Sequence, residues 1–303
     1  MRFKLRWSRR LAAGVALAVL AGVAASLAAA SRSGPAHTAV APLLRIGLEY
    51  PISTLDQSQS TAALNQVLAL SLDQVVQVGP GGKPRPWLAQ SVTQPNPTTY
   101  VYRLRHGVKF WDGNTMTAKD VADSLNYWRA KGSQAAFLFG TVKDIKAVGS
   151  DKVVVTLLHP DASWPAHLQA APGIFESKFQ QQHKATFGKP GTLIQGTGPW
   201  QPVSLDPNTS MELAANPHYF HGPVNFSHIS IKFFQSETSM AIAYRTGGID
   251  LAFPFDGRAF ASTSKAKMTY APSITPLLVS MDTIVAPWND IHVRKAVAWA
   301  LNR

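Results

Sequence analysis

Apolar and polar positions alternate in several short segments of this chain and recur at helical spacing in others. In one such segment Tyr100, Tyr102 and Leu104 alternate with residues of the opposite face, as in a half-buried strand. Apolar positions three to four residues apart are typical of an amphipathic helix. The patterns predict strands over residues 43–50, 99–110, 151–158, 227–234 and 249–253, and helices over residues 61–78, 237–245 and 291–303 and after Thr117.

Turn and capping residues delimit these segments. Residues 112–113 (Asp-Gly) predict a tight turn, and Thr117 with Asp120 resembles a capping box that has Asp in place of Glu. Ser236 can cap the helix that follows it, and residues 247–248 (Gly-Gly) can end that helix. Because strands and helices alternate with hairpins between them, we predict a mixed α/β (α+β) fold rather than an all-parallel sheet.

The first thirty residues differ in kind from the rest of the chain. Five basic residues lie within the first ten, and the run from Leu11 to Ala30 has no charged residue. Small residues at positions 28–30 offer a cleavage site. This order predicts a signal peptide over residues 1–30 that is cleaved on export, followed by a lead-in over residues 31–42. An uncleaved membrane anchor is the alternative, because about twenty apolar residues can span a bilayer.

The net charge of +12 is concentrated at the start of the chain. Six basic residues and no acidic residue lie in the first 32 positions, which leaves +6 for the remainder. The other Lys and Arg residues are scattered without the basic stripe that nucleic-acid binding requires, so no nucleic-acid partner is expected. The chain has no cysteine, which excludes disulfides, thiolate metal ligands and a cysteine nucleophile. We expect an exported, disulfide-free periplasmic protein.

Motifs of catalysis and of metal binding are weak or absent. The sequence contains no G-x-S-x-G, H-E-x-x-H or P-loop motif, and turn and cap roles account for Asp112 and Asp120. His218 and His221 lie three residues apart, with His228 further on, a spacing that suits zinc or nickel. Flanking prolines and the lack of a carboxylate within that loop favour surface histidines instead. We therefore expect no metal, no cofactor and no enzymatic activity.

Five short motifs follow one another along the chain. They are Thr54-Leu55-Asp56, then Pro86-Trp87-Leu88-Ala89-Gln90-Ser91, then YRLRHGVKFWDG from Tyr102 to Gly113 with Thr117-Ala-Lys-Asp-Val121, then Gly196-Thr-Gly-Pro-Trp200 with Asn216-Pro-His-Tyr-Phe220, and finally Ala286-Pro-Trp-Asn-Asp290 with Val293-Arg-Lys-Ala-Val297 and Ala300-Leu-Asn-Arg303. In this order the chain resembles the N-terminal part of bacterial extracellular solute-binding proteins of family 5. Members of this family serve oligopeptide, dipeptide and nickel ABC importers.

The resemblance implies a class II periplasmic binding protein-like fold with two lobes and a small inserted domain. It assigns the first ligand lobe to residues 43–74 and 189–283, the inserted domain to residues 75–188, and the start of the second lobe to residues 284–303. Most of that second lobe is missing from the sequence. The final helix also lacks a terminating Gly or Pro, so we interpret the chain as a fragment or a natural truncation.

The resemblance further implies a monomeric substrate-binding receptor that captures a peptide or similar solute by lobe closure and delivers it to an ABC permease. The expected ligand contacts lie in the loop after the first strand and in the inserted domain, at Tyr50, Gln57, Gln59, Thr61 and Phe137. Three alternatives stay open. They are a receptor for a nickel or other metal chelate, a membrane-anchored sensor or degenerate module, and a hydrolase.

Overall fold

The computed structural model describes residues 43–59, 67–254, 257–261, 263 and 283–300. The chain divides between residues 267 and 268 into two compact units. The predicted signal peptide (1–30) and lead-in (31–42) lie outside the described residues, as does Thr61. Within the described residues, every helix is too short or too polar to cross a bilayer.

The first unit alternates strands and helices, which confirms the mixed α/β class. Its strands are β1 (Leu44–Leu48), β2 (Val76–Val78), β3 (Pro84–Pro86), β4 (Ala89–Asn96), β5 (Thr99–Leu104), β6 (Val142–Val148), β7 (Lys152–Leu157), β8 (Trp200–Asp206), β9 (Ser210–Ala215), β10 (His228–Phe233) and β11 (Leu251–Phe253). Its helices are α1 (Ala118–Trp128), α2 (Trp164–Ala170), α3 (Ser177–Gln182) and α4 (Glu237–Arg245), and the second unit contains α5 (Ile291–Ala300).

Five strands form the large sheet, in the order β11-β1-β10-β9-β8. Strand β1 runs parallel to both of its neighbours, β10 and β11, whereas β9 and β8 continue as an antiparallel meander. Helix α4 connects β10 to β11 and packs closely on β1. A Cβ atom at Gly47 would lie 2.5 Å from Ile249 Cδ1 and 3.0 Å from Met240, so any larger residue would displace these two side chains. Because β1, β10 and β11 run parallel, their carboxyl ends lie at the same edge of the sheet.

Four antiparallel strands form the small sheet, in the order β4-β5-β7-β6. The residues predicted to alternate do so, because Tyr100, Tyr102 and Leu104 are buried, while Arg103 is exposed. Helix α1 packs on β6 and β7 of this sheet. The chain thus leaves the large sheet after β1, builds the small sheet and returns to the large sheet at β8.

Hydrogen bonds join the segments that run between the two sheets. The Gly198 N–H donates to the Ser71 carbonyl at 3.1 Å. The carboxylate of Asp73 is buried and accepts bonds from Trp87 Nε1 at 2.7 Å and from Thr197 Oγ1 at 2.8 Å. Trp87 lies where the chain enters the small sheet, and Thr197 lies where it returns to the large sheet before β8. Asp73 therefore links the two segments that connect the sheets.

The predicted helix ends are confirmed. The backbone N–H and the hydroxyl of Thr117 both donate to Asp120 Oδ2, at 2.9 and 2.7 Å, where α1 begins. The Ser236 hydroxyl accepts the Ser239 N–H at the start of α4. At its end Gly247 has φ +75°, and the Gly248 N–H returns to the Ala243 carbonyl at 2.7 Å.

Two predicted elements are too long. The helix predicted over residues 61–78 is wrong at its end, because Val76–Val78 is a strand paired with Pro84–Pro86. The strand predicted over residues 99–110 ends at Leu104, since Gly107 adopts φ +74° and turns the chain. In both cases the apolar pattern continues through a change of backbone direction.

Candidate binding site

A loop crosses the carboxyl edge of the large sheet directly after β1, and we call residues 49–59 the edge loop. The Phe234 N–H donates to the Leu48 carbonyl at 2.8 Å, which holds the ends of β10 and β1 together. The Asn208 N–H, in the turn between β8 and β9, donates to the Ile52 carbonyl at 3.1 Å. In open α/β sheets, ligands bind outside the carboxyl ends of parallel strands. The edge loop therefore occupies the position where a ligand surface is expected.

The middle of the edge loop is fixed by Gly188, which lies in the segment that returns from the small sheet. The Gly188 carbonyl accepts the Leu55 N–H at 2.7 Å and the Thr54 hydroxyl at 3.2 Å. Gly188 has φ +76°, and a Cβ atom there would lie 2.4 Å from the Asp56 backbone nitrogen. The loop and the returning segment thus pack backbone against backbone.

The carboxylate of Asp56 organises the end of the edge loop. Its Oδ1 accepts the Ser58 N–H at 2.9 Å, and its Oδ2 accepts Gln59 Nε2 at 3.4 Å and the Tyr127 hydroxyl at 2.9 Å. Asp56 is only 4% exposed. Tyr127 lies on α1, so this buried carboxylate connects the edge loop to the helix that covers the small sheet.

Burial raises the pKa of Tyr127 to about 12, and the neighbouring Asp56 carboxylate contributes in the same direction. The hydroxyl is therefore protonated at neutral pH and can act as a donor. A neutral phenol that donates to a buried carboxylate is a charge-assisted hydrogen bond, which is stronger than a bond between neutral groups.

The structure brings together two of the segments predicted to contact a ligand. Gln57 and Gln59 lie on one helical turn, Gln57–Gln59, and Phe137 lies on another, Ala136–Phe139. The Gln134 N–H, just before the second turn, donates to the Ser58 carbonyl in the first at 2.8 Å. The two turns are therefore neighbours, although they lie almost eighty residues apart in the sequence.

The predicted contact residues differ in exposure. Phe137 is 77% exposed, Tyr50 is 46% exposed, and Gln59 is also exposed. Gln57 is only 5% exposed, so it presents little surface to a ligand. Sequence reasoning missed Tyr127, Gln134 and Gly188, which hold these residues in place. The one signal for this network in the sequence was Asp56, within the motif at residues 54–56.

The candidate acid pair and the histidine cluster have other roles in the structure. Asp112 Oδ1 accepts the Asn114 N–H in the turn at residues 112–113, whereas Asp120 caps α1. The His221 ring packs against Trp87 with 4.3 Å between ring centroids and an angle of 33° between the ring planes. Burial and the nearby positive charges of Arg105 and Arg85 lower the pKa of His221. The same two positive charges disfavour a metal cation beside the ring. No group of three His, Cys, Asp or Glu side chains is placed to hold a metal within the described part of the chain.

Two surface cavities lie on the small sheet. Their volumes are about 280 and 400 Å³, and both are lined by Pro165 together with Tyr102 in one and Tyr100 in the other. Neither is lined by a residue of the edge loop or by Phe137. The candidate site is therefore separate from both of these cavities.

The fold is that of periplasmic solute-binding proteins with the class II arrangement. The binding protein MoaA of Agrobacterium tumefaciens, solved in complex with mannopinic acid, matches with a TM-score of 0.73 and 25% identity. The match covers 86% of this chain and 55% of that one. This agrees with the fold expected from the sequence motifs.

The chain belongs to the bacterial extracellular solute-binding proteins of family 5, whose middle-region model matches residues 83–303. The nickel-binding periplasmic protein of Escherichia coli is 27% identical over 254 residues, which is 79% of this chain and 48% of that protein. The probable D,D-dipeptide-binding periplasmic protein DdpA of Escherichia coli is 27% identical over 66% of this chain and 40% of its own length. The chain therefore spans about half the length of these relatives.

Proposed function

We propose that this chain forms part of the substrate-binding receptor of a peptide-type ABC importer. It captures a peptide or similar solute and delivers it to a membrane permease. The family membership supports this role, and so do relatives named for binding a nickel ion or a D,D-dipeptide. The observation that carries the proposal is the hydrogen-bonded junction of the edge loop and the Phe137 turn at the carboxyl edge of the large sheet.

In this proposal the ligand lobe consists of residues 43–74 and 189–283, the inserted domain of residues 75–188, and a second lobe begins at residue 284. Ligand binds the edge loop first, and closure of the second lobe then traps it. Closure is favoured only by a ligand that binds the closed state more tightly than the open state. Tyr50, Gln59 and Phe137 supply the exposed contacts. Gln57 and Thr61 remain predicted contacts, although Gln57 is buried before any ligand binds.

The proposal includes export and excludes catalysis. Residues 1–30 direct the chain to the periplasm and are removed, and the mature protein acts as a monomer. Catalysis needs a convergent nucleophile, base and charge-stabilising group. The described carboxylates Asp56, Asp112 and Asp120 are instead each engaged by backbone or side-chain donors of their own segment. This supports a receptor over a hydrolase.

A ligand screen tests the proposed function. The protein encoded by the complete reading frame, starting at Ser31, is heated with D-Ala-D-Ala, with di- to pentapeptides, with Ni²⁺ and L-histidine, and with mannopinic acid. A ligand at a hundred times its dissociation constant stabilises the folded state by about 2.7 kcal/mol, which raises the melting temperature by a few degrees. We expect such a shift with one of these classes.

Matched ligands sharpen this screen. L-Ala-L-Ala is the control for D-Ala-D-Ala, and L-histidine without nickel is the control for the chelate. A shift only with nickel and histidine would mean that the cargo is a metal chelate and not a peptide. This is the second candidate function, and the similarity to the nickel-binding relative supports it. A folded protein that responds to no class would contradict the receptor function and leave the sensor or degenerate module.

Substitution of Phe137 with alanine tests the site itself. Because the side chain is 77% exposed, its loss should change the free energy of unfolding by no more than about 0.5 kcal/mol. If it is one of the few contacts that dominate ligand affinity, the dissociation constant measured by calorimetry should rise about tenfold, since truncation of such a residue costs more than about 1 kcal/mol. Val203→Ala on β8 is the control, because Val203 is also exposed but lies on the edge strand farthest from β11. Equal affinities of both variants would remove Phe137 from the site.

A further inference from the structure

Tyr127 contributes the donor from outside the edge loop to the carboxylate of Asp56. The other described donors, the Ser58 N–H and Gln59 Nε2, belong to the loop itself. The Tyr127 hydroxyl reaches Oδ2 at 2.9 Å from a position 71 residues further along the chain. This bond therefore sets the position of the loop relative to α1, which the two local bonds cannot do.

Aromatic packing fixes the ring of Tyr127 and therefore the position of its hydroxyl. It packs edge-to-face against Trp128, Phe175 and Phe187, with ring centroids 5.0, 5.4 and 5.8 Å away. Edge-to-face pairs of this kind are favourable beyond their buried area. Trp128 and Phe175 are almost fully buried, so the hydroxyl is presented to the loop from the rigid core beneath α1.

A second bond extends this control to the turn that carries Phe137. The Ser58 carbonyl accepts the Gln134 N–H, and Ser58 is also the residue whose own N–H binds Asp56 Oδ1. Movement of Asp56 would therefore displace Ser58 and, through it, the Ala136–Phe139 turn. Ser58 therefore connects the Asp56 carboxylate to the turn that carries Phe137.

We infer that Tyr127 is a positioning residue for solute binding, which presets the edge loop and the Phe137 turn through Asp56. This inference rests on the proposed function, because it concerns the same surface. A surface fixed before the ligand arrives binds more tightly, since less conformational freedom is lost on binding. The Tyr127 ring contacts the aromatic core, its hydroxyl bonds Asp56 and the Ser58 side chain, and its effect on a ligand passes through these loop residues.

Tyr127→Phe tests the inference because it removes only the hydroxyl and keeps the ring packing. In the protein of the complete reading frame, we expect faster hydrogen exchange at the amides of Ser58, Gln59 and Gln134. We also expect a three- to tenfold larger dissociation constant, measured by calorimetry with D-Ala-D-Ala and with Ni²⁺ and L-histidine as probes. Addition of either probe should slow exchange at these amides in the wild type more than in the variant.

Tyr102→Phe is the matched control. The Tyr102 hydroxyl accepts a bond from Trp164 Nε1 at 3.0 Å within the same unit, in a fully buried site away from the edge loop. This variant should lower the melting temperature at least as much as Tyr127→Phe, yet leave exchange at Ser58 and Gln134 and the affinity unchanged. A purely structural role for Tyr127 predicts that the two variants behave alike.

The outcomes separate this inference from the proposed function. Unchanged exchange in Tyr127→Phe would overturn the positioning role whether or not a probe binds. Faster exchange with an unchanged dissociation constant would overturn it as well. If the wild type binds neither probe, the proposed function is contradicted for these two ligand classes, while the exchange comparison still decides whether Tyr127 orders the loop.

Discussion

Substitution of Gly188 with alanine should lower the free energy of unfolding by about 2–5 kcal/mol and weaken ligand binding. Two costs add at this position. A left-handed backbone costs a residue with a Cβ atom about 1–2 kcal/mol, and overpacking costs about 1–3 kcal/mol. The new methyl group would lie 2.4 Å from the Asp56 backbone nitrogen, so the edge loop must move away from the returning segment. Urea denaturation measures the loss of stability, and calorimetry measures the loss of affinity.

Gly191→Ala is the matched control for this prediction. Gly191 lies three residues further on in the same loop with φ +86°, but no atom lies within 4 Å of the position of its Cβ. It should therefore show only the backbone cost of about 1–2 kcal/mol and an unchanged affinity. Equal effects of the two substitutions would show that the contact between Gly188 and Asp56 does not position the edge loop.

Elements with both a clear period and a capping signal were predictable from the sequence. Helix α4 has the predicted bounds, because Ser236 begins it and Gly247 ends it. Strands β7 and β10 lie within one residue of the predicted ends at each side, since their buried positions alternate. In these segments the local pattern and the tertiary packing favour the same conformation.

Other elements depend on pairing partners and have no pattern of their own. Strand β4 has the sequence AQSVTQPN and seven exposed residues out of eight, so its apolar positions do not alternate. It is a strand because β5 pairs with it. Val76–Val78 likewise continues the apolar pattern of the preceding segment and becomes a strand only through its pairing with Pro84–Pro86. Such long-range choices are invisible in a local window of sequence.

The candidate site was predictable in its location and not in its construction. The first-strand loop followed from the resemblance, and the structure places that loop at the carboxyl edge of the parallel strands. The bond between Tyr127 and Asp56 joins residues 71 apart, and Tyr127 lies beside the core residue Trp128 on α1. The helical pattern of apolar positions predicts only that Tyr127 is an aromatic residue next to the packed face. Its role depends on the hydrogen bond of its hydroxyl, and the spacing of apolar residues carries no information about that bond.

The junction between the two sheets contains a carboxylate without a cation among its described hydrogen-bond partners. Asp73 is 3% exposed and accepts bonds from Trp87 Nε1 and Thr197 Oγ1, both of which are neutral. Burial raises the pKa of Asp73 to about 6, and these two hydrogen bonds oppose the rise only in part. The unfolded chain titrates near pH 3.9 at an ordinary Asp. The folded state therefore favours the protonated form, and ionisation of Asp73 destabilises it.

Asp73→Asn should therefore become more stable than the wild type as the pH rises. Below about pH 4, where Asp73 is protonated in both states, the two proteins should be equally stable. The wild type then loses stability as the pH rises to about 6 and above, and the full difference between pKa values of about 3.9 and 6 corresponds to roughly 3 kcal/mol. An amide retains an acceptor for Trp87 and offers a donor to the Thr197 hydroxyl, so the variant avoids this loss. Urea denaturation of both proteins from pH 4 to pH 8 measures the difference.

Asp161→Asn is the control of opposite sign, because hydrogen bonds from Ser163 and Thr141 lower the pKa of Asp161 to about 2. It should be less stable than the wild type at neutral pH, and that gap should close as the pH falls below 4. A stability loss in Asp73→Asn at pH 8 would mean that the buried charge itself holds the junction together.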